Sequence, residues 1–217
     1  MTLTAPIDAA LDQLADRQLI AYPTETVWGL GALARSAQAV DRLRSWKGRS
    51  EAKPISVLVD GPSALESGGF VVDDAARRVV EAFWPGPLTV VLRCRMIYAP
   101  GIANADGAIG VRCSPHPVAH ALAIGAQKRG LGPITATSLN EAGEPAAASL
   151  EDARRVCATP ADPWLVEPGA DDASGAAPST VLDLSGGRPR LLRAGAVTRE
   201  ALAEVLVMDL EEAPAAD

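Results

Sequence analysis

Apolar residues recur at helical spacing at several points of the chain. Ile7, Leu11 and Leu14 fall on one face of a helix, with polar residues between them. Ser36 stands where the N-cap of the next helix is expected, because its hydroxyl can accept a bond from the first turn. The pattern predicts helices over residues 6–17, 36 to about 46, 73 or 74 to 83, 115 or 117 to about 128, and about 198–207.

Short apolar runs between these helices predict strands. The run at residues 55–59 is typical of a strand buried on both faces, so we expect a sheet with helices packed on it. The polar, glycine-rich segment 24–31 is predicted as a loop, and residues 169–179 as a surface loop and candidate lid. Strands are predicted at residues 18–22, 55–59, 88–93, 108–112, 133–137, 180–184 and 190–193, the last two as a hairpin.

Length and composition indicate one globular domain. The chain has 217 residues, of which 48% are hydrophobic and 22% charged. We expect a domain over residues 1–207 and a frayed tail over 208–217. No apolar run approaches the about 18 residues that a membrane helix needs, and the amino terminus lacks a signal-peptide pattern. The sequence therefore predicts a soluble, cytoplasmic protein without a membrane partner.

Several familiar motifs are absent or misplaced. Residues 29–34 fit a dinucleotide fingerprint, but six residues separate the preceding strand from Gly29, so we reject a nicotinamide site. His116 and His120 lack a third ligand, and a helix-capping or packing role is expected instead of a metal site. With no Walker A motif and no GxSxG motif, we expect chemistry without an activated side-chain nucleophile.

Cationic and polar residues gather instead at the ends of predicted strands. Ligands of open α/β sheets bind beyond strand ends, and Arg and Lys bind carboxylates and phosphates. The net charge of −7 argues against a surface built for nucleic acid, although it does not describe a local cleft. The pattern predicts a site for an anionic substrate, or a nucleotide-binding protein, built from Thr24, Thr26, Lys47, Arg49, Arg112, Ser138, Asn140, Ser179 and Arg193.

These residues belong to longer motifs that resemble the YrdC-like threonylcarbamoyl-AMP synthases. The resemblance covers roughly residues 7–205. The chain is similar to the short form of the family, which has no extra carboxyl-terminal domain. It implies a single α/β domain with a twisted, mostly parallel sheet, flanking helices and a large, positively lined central cavity. The motifs are YPTETVWGLG at 22–31, KGR at 47–49, FWPGPLT at 83–89, VR at 111–112, HP at 116–117, SLN at 138–140 and PSTV at 178–181 with Arg193.

The resemblance also implies an activity. These enzymes are nucleotidyltransferases that join L-threonine, bicarbonate and ATP into threonylcarbamoyl-adenylate and release pyrophosphate. Mg²⁺ is expected to accompany ATP, and no tightly bound cofactor or resident metal is expected. The adenylate is expected to pass transiently to a complex that modifies the adenosine beside the anticodon of tRNAs that read codons beginning with A.

Roles for individual residues follow from the same resemblance. Lys47 and Arg49 are expected to hold the triphosphate, and Ser138 and Asn140 to complete this catalytic tetrad. Arg112 is expected to bind the threonine carboxylate. Further contacts are expected from Ser179 and from Thr24 or Thr26 to the amino acid, and from Arg193 to the nucleotide.

Two alternatives remain, of which the first uses the same basic cavity and the second shares the same fold. One is a non-catalytic nucleotide-binding, RNA-binding or ribosome-associated protein, whose weak RNA binding would fall steeply with salt. The acidic net charge and the aromatic content of 4% count against it. The other is a carbamoyl-transfer domain of the hydrogenase-maturation type, but such domains lie beside zinc-finger and acylphosphatase-like modules that this sequence lacks.

Overall fold

The computed structural model describes residues 4–48, 54–167 and 177–212. The predicted cap at Ser36 is present, since its Oγ accepts from Ala39 N at 3.3 Å, and Asp73 caps another helix, since its Oδ1 accepts from Ala76 N at 2.8 Å. Two short helices, at residues 63–67 and 150–156, are not predicted from the sequence. The helices are α1 Thr4–Ala15, α2 Ala37–Lys47, α3 Ser63–Ser67, α4 Asp74–Phe83, α5 Pro117–Lys128, α6 Leu150–Val156 and α7 Arg199–Leu206.

The larger of two sheets has seven strands in the order β11-β10-β9-β4-β5-β3-β6. Parallel and antiparallel pairings alternate across it, so the sheet is mixed and the expectation of a mostly parallel sheet is wrong. The hairpin of β9 and β10 is confirmed. The strands are β3 Val57–Leu58, β4 Leu88–Arg93, β5 Ala108–Arg112, β6 Ile134–Thr135, β9 Thr180–Asp183, β10 Arg190–Arg193 and β11 Glu211–Glu212.

The second sheet has the order β7-β2-β1-β8, with β1 Ile20–Tyr22, β2 Gly29–Gly31, β7 Thr137–Ser138 and β8 Trp164–Leu165. The sequence predicts a loop throughout residues 24–31, whereas β2 pairs antiparallel with β1. An ideal Cβ at Gly29 would lie 2.7 Å from Tyr22 Cζ, which explains a glycine at this strand position. The loop is therefore shorter than predicted and forms the tip of a hairpin.

Residues 133–137 were predicted as one strand but are divided between the two sheets. Residues 134 and 135 pair with β3 of the large sheet, and residues 137 and 138 pair with β2 of the small one. Because a strand can cross from one sheet to another only at a bend, Ala136 marks the corner where the sheets meet. After this corner the chain continues to Ser138, which pairs with Gly29 in the small sheet.

Two apolar clusters hold the elements together. Leu11 and Leu14 of α1 pack with Leu122 of α5, and the larger cluster includes Val79 of α4 and Leu202 of α7. The tail was predicted to fray, but residues 211 and 212 pair with β10. Residues 213–217 lie outside the described residues. Most of the candidate lid, residues 169–176, lies outside them as well. Within the described ranges, no helix has the length and apolar character needed to cross a membrane.

Candidate functional site

A cavity of about 700 Å³ opens between the two sheets. Its volume lies within the range of small-molecule sites, which is about 300–1,000 Å³. Strands of both sheets contribute to its wall, together with the tip of the β1–β2 hairpin and the segment before β9. Its polar and charged lining comprises Thr24, Thr26, Ser56, Thr89, Asn104, Arg112, Thr137, Ser138, Ser179 and Arg193.

The register of the large sheet explains how its two arginines face the same space. Arg112 of β5 lies opposite Thr89 of β4, and Thr89 lies opposite Val181 of β9. Val181 in turn lies opposite Arg193 of β10, beside an irregularity that adds Leu192 to the cavity wall. Directly opposed residues point to the same face of a sheet. One row of side chains therefore carries a guanidinium at each side of the cavity floor.

Arg112 is the more buried of these two cations, with 8% of its surface exposed. Its NH2 group donates to Glu25 Oε1 at 2.7 Å and to Thr26 Oγ1 at 2.6 Å. The second carboxylate oxygen of Glu25 accepts from the hydroxyl of Ser114, which follows β5. The hairpin tip is thus bonded to the end of β5 by a largely buried ion pair.

The hydroxyls of the hairpin tip have a definite direction. Thr24 Oγ1 donates to Val27 O at 2.6 Å, so the 3.0 Å contact between Thr24 and Thr26 must use the Thr26 proton. Thr24 Oγ1 also accepts from Thr26 N at 3.2 Å. With the bond from Arg112 counted, Thr26 Oγ1 keeps one acceptor position and Thr24 Oγ1 keeps none. Thr26 is therefore the better placed of the two to accept a bond from a ligand amine.

Ser179 and Arg193 form a second cluster at the cavity floor. Arg193 donates to Ser179 O from Nε at 3.0 Å and from NH2 at 2.8 Å, and to Ser179 Oγ at 3.0 Å. Ser179 Oγ also lies 3.1 Å from Thr89 Oγ1. Partial burial, and then the like charge of Arg112, hold the pKa of the Arg193 guanidinium below its ordinary value. The two cations therefore repel each other across a space that suits an anion.

Lys47, at the carboxyl end of α2, lies behind the cavity wall formed by Ser138. Its Nζ donates to Ser138 O at 2.6 Å, to Asn140 Oδ1 at 2.7 Å and to Asn140 O at 2.9 Å. Ser138 Oγ donates to Asn140 Oδ1 at 2.6 Å. The helix ends immediately afterwards because Gly48 adopts φ 61°, the left-handed conformation that favours glycine. Three of the four tetrad residues therefore form one hydrogen-bonded cluster.

The structure brings most of the predicted site residues together. Thr24, Thr26, Arg112, Ser138, Ser179 and Arg193 line the cavity. Lys47 and Asn140 contact Ser138 from behind, and Arg49 lies outside the described residues. Sequence reasoning missed Glu25, Ser114 and Thr89. The position of Glu25 between two predicted threonines was the one signal that could have identified it.

Two potential nucleophiles near the cavity, Cys113 and Tyr22, have raised pKa values. Burial raises the pKa of the Cys113 thiol to about 11, and burial raises the pKa of the Tyr22 phenol, whose hydroxyl donates to Thr135 O at 2.8 Å. His116 Nδ1 accepts from Val118 N at 3.2 Å at the start of α5, as the capping interpretation predicts. Among the described residues, no group of three His, Cys, Asp or Glu side chains is placed to hold a metal ion.

Fold and site together define an α/β protein with a cationic, hydroxyl-lined cavity of a size typical of small-molecule sites. A family model described as "Telomere recombination", for Sua5, YciO and YrdC proteins, matches residues 12–195. A Mycobacterium tuberculosis protein provisionally named threonylcarbamoyl-AMP synthase is 36% identical over 207 residues, which are 94% of this chain and 90% of that protein. The chain belongs to the Sua5/YciO/YrdC family.

Two further relatives extend the comparison. The Bacillus subtilis threonylcarbamoyl-AMP synthase is 33% identical over 200 residues, which are 89% of this chain and 54% of that protein. A crystal structure of P. abyssi Sua5 complexed with L-threonine has a TM-score of 0.87 and 28% identity, and the match covers 99% of this chain. This chain spans about three fifths, 61%, of the P. abyssi chain.

Proposed function

We propose that this protein is a threonylcarbamoyl-AMP synthase, a transferase that makes threonylcarbamoyl-adenylate and pyrophosphate from L-threonine, bicarbonate and ATP. One observation carries the proposal: the buried guanidinium of Arg112 lines the same cavity as Ser138, and Ser138 is hydrogen-bonded to Lys47 and Asn140. Relatives named threonylcarbamoyl-AMP synthase, and a family structure complexed with L-threonine, support this choice among anionic ligands.

In this proposal the amino acid lies over β5. Arg112 binds the carboxylate, because the planar guanidinium matches the geometry of a carboxylate. The burial of Arg112 excludes water and strengthens this bond. Thr26 Oγ1 accepts from the amine with its remaining acceptor position, and Ser179 Oγ lies on the same floor. Thr24 stabilises the hairpin tip instead of contacting the ligand directly.

ATP lies on the side of Ser138. Lys47 provides positive charge for the triphosphate, with Mg²⁺ entering as part of the ATP complex. Four oxygens of Ser138 and Asn140 lie within 3.5 Å of Lys47 Nζ, which carries three hydrogens. Direct contact with phosphate therefore requires one of these bonds to be replaced. Arg49 and Arg193 complete the cationic set in this proposal.

The reaction suits a site without a nucleophile. The threonine amine and bicarbonate form a carbamate with loss of water. A carbamate oxygen then attacks the α-phosphorus of ATP, forming one P–O bond as the bond to pyrophosphate breaks, so the protein acts as a nucleotidyltransferase. Because the attacking oxygen is already anionic, catalysis needs positioning and charge neutralisation. We further propose transient transfer of the adenylate to a tRNA-modifying complex.

Pyrophosphate release tests the proposal. Purified protein is supplied with ATP, Mg²⁺ and bicarbonate, together with L-threonine, L-serine or no amino acid. We expect release that depends on L-threonine and falls when bicarbonate is removed. Release that is the same with and without L-threonine, or no release from protein that binds ATP, would contradict the proposal.

A further inference from the structure

We infer that Glu25 is a positioning residue for Arg112 and thereby determines how strongly the site distinguishes a carboxylate from a neutral group. The inference rests on the proposed binding of L-threonine in this cavity. Glu25 does not itself line the cavity, and it acts through the guanidinium of Arg112, which does and which it holds by a hydrogen bond.

The carboxylate of Glu25 is fixed at both of its oxygens. Oε1 accepts from Arg112 NH2 at 2.7 Å, and Oε2 accepts from Ser114 Oγ. Ser114 Oγ donates its single proton to Glu25 and accepts a second hydrogen bond from His116 N at 3.2 Å. The side chains of Arg112 and Glu25 are 10% and 18% exposed. Such a pair has little freedom to turn.

This arrangement selects the edge of the guanidinium that a ligand meets. Arg112 NH2 carries two hydrogens, and Glu25 Oε1 and Thr26 Oγ1 accept both of them. The NH2 edge therefore faces the hairpin tip. Arg112 Nε is buried and, among the described residues, has no hydrogen-bond partner. Because Nε is fully buried, NH1 is the donor group left for a carboxylate, and Glu25 keeps it turned away from the hairpin.

The charge of Glu25 matters as much as its shape. Arg112 and Arg193 line the same cavity, and the pKa of Arg193 is lowered in part by the charge of Arg112. Without a negative partner, Arg112 would be buried beside a like charge, and a long side chain relieves such repulsion by turning toward water. Glu25 compensates the buried cation and lets it remain at the cavity floor.

A purely structural role for Glu25 makes a different prediction. If Glu25 only secured the hairpin tip, its loss would weaken every ligand of the cavity by a similar factor. If it positions Arg112, its loss would weaken a ligand with a carboxylate and spare the same ligand with that charge removed. L-threonine and L-threoninamide form such a pair, because they differ in this group alone.

The experiment measures the affinities of L-threonine and L-threoninamide by calorimetry for the wild type, Glu25→Gln and Ser114→Ala. Glu66→Gln is the matched control, because Glu66 also forms an ion pair with an arginine, Arg77, but that pair is long, at 3.8 Å, and the Glu66 side chain is 76% exposed. We expect the wild type to prefer L-threonine by at least about tenfold. In Glu25→Gln the preference should fall to about threefold or less, with the affinity for L-threoninamide changed by less than about twofold.

Ser114→Ala keeps the charge of Glu25 and removes one of its two anchors, so we expect an intermediate preference; Glu66→Gln should match the wild type. Equal losses for both ligands, or an unchanged preference in folded Glu25→Gln, would overturn the inference. If Glu25→Gln does not fold, Ser114→Ala decides, and a wild-type preference there would overturn it. A wild type that binds no L-threonine would remove the proposed function as well, which distinguishes the two failures.

Discussion

Replacing Lys47 by Met should destabilise the fold as well as stop turnover. Met has a similar length but no donor, so Lys47→Met removes the bonds to Ser138 O, Asn140 Oδ1 and Asn140 O at 2.6, 2.7 and 2.9 Å. Lys47 is 5% exposed, and water therefore cannot simply replace its ammonium group. If Lys47 served only to bind phosphate, Lys47→Met would leave the free energy of unfolding unchanged.

The magnitude follows from the number and kind of these bonds. A hydrogen bond from a charged group contributes about 1.5–3 kcal/mol net, but contributions within one network do not add, and Asn140 is only half-buried. We therefore expect a loss of about 2–4 kcal/mol in the free energy of unfolding. For a chain of this size, each kcal/mol lowers the melting temperature by about 2–4 °C.

Urea unfolding followed by tryptophan fluorescence measures the effect. The matched control is Lys128→Met, because Lys128 is an exposed lysine in the last turn of another helix, α5. The control should change stability far less than Lys47→Met. Equal stability of Lys47→Met and the wild type would refute the argument that the three bonds stabilise the site before any ligand arrives.

Three other substitutions test separate parts of the account. Arg112→Ala should raise the KM for L-threonine far more than the KM for ATP, and equal effects in steady-state kinetics would remove Arg112 from the amino-acid site. Gly29→Ala places a Cβ 2.7 Å from Tyr22 Cζ and should cost about 1–3 kcal/mol in thermal unfolding, whereas wild-type stability would contradict this packing. Burial raises the pKa of Asp183, but bonds from Ser185 and Arg190 outweigh it and hold the pKa below its ordinary 3.8. This contribution to stability is present above about pH 4 and lost on further acidification, so Asp183→Asn should destabilise at about pH 6 and have a smaller effect at about pH 3.

Elements with clear ends were predictable from the sequence. The predicted bounds of β4 and β5 match the structure because Pro87 precedes one strand and Gly107 precedes the other, while their apolar residues alternate with the sheet faces. The helix α5 begins at Pro117, as a proline in the first helical turn indicates. Local residue chemistry was sufficient in these cases.

Elements that depend on a distant partner were not predictable. Gly29 and Gly31 favour a loop by propensity, and they form a strand because the side chains of Ile20 and Tyr22 fill the space beside them. The division of residues 133–137 between two sheets has no local signal either, since it arises from the pairing of each half with a different strand.

The candidate site shows the same division between local and distant information. Thr24, Thr26 and Arg112 could be selected because cations and hydroxyls at strand ends indicate a ligand. Glu25 could not be selected in this way, because its role depends on Arg112, which lies 87 residues away in sequence. The grouping of Lys47 with Asn140 also depends on distant residues, and it was expected only from the family resemblance.

The most direct test of the central claim follows the carbon of bicarbonate. The protein is incubated with L-threonine, ATP, Mg²⁺ and ¹³C-labelled bicarbonate, and the products are separated rapidly and examined by mass spectrometry. We predict an adenylate that contains both threonine and the labelled carbon, formed together with pyrophosphate and absent when L-threonine is omitted. Protein that binds ATP and L-threonine but forms no labelled adenylate would contradict the account.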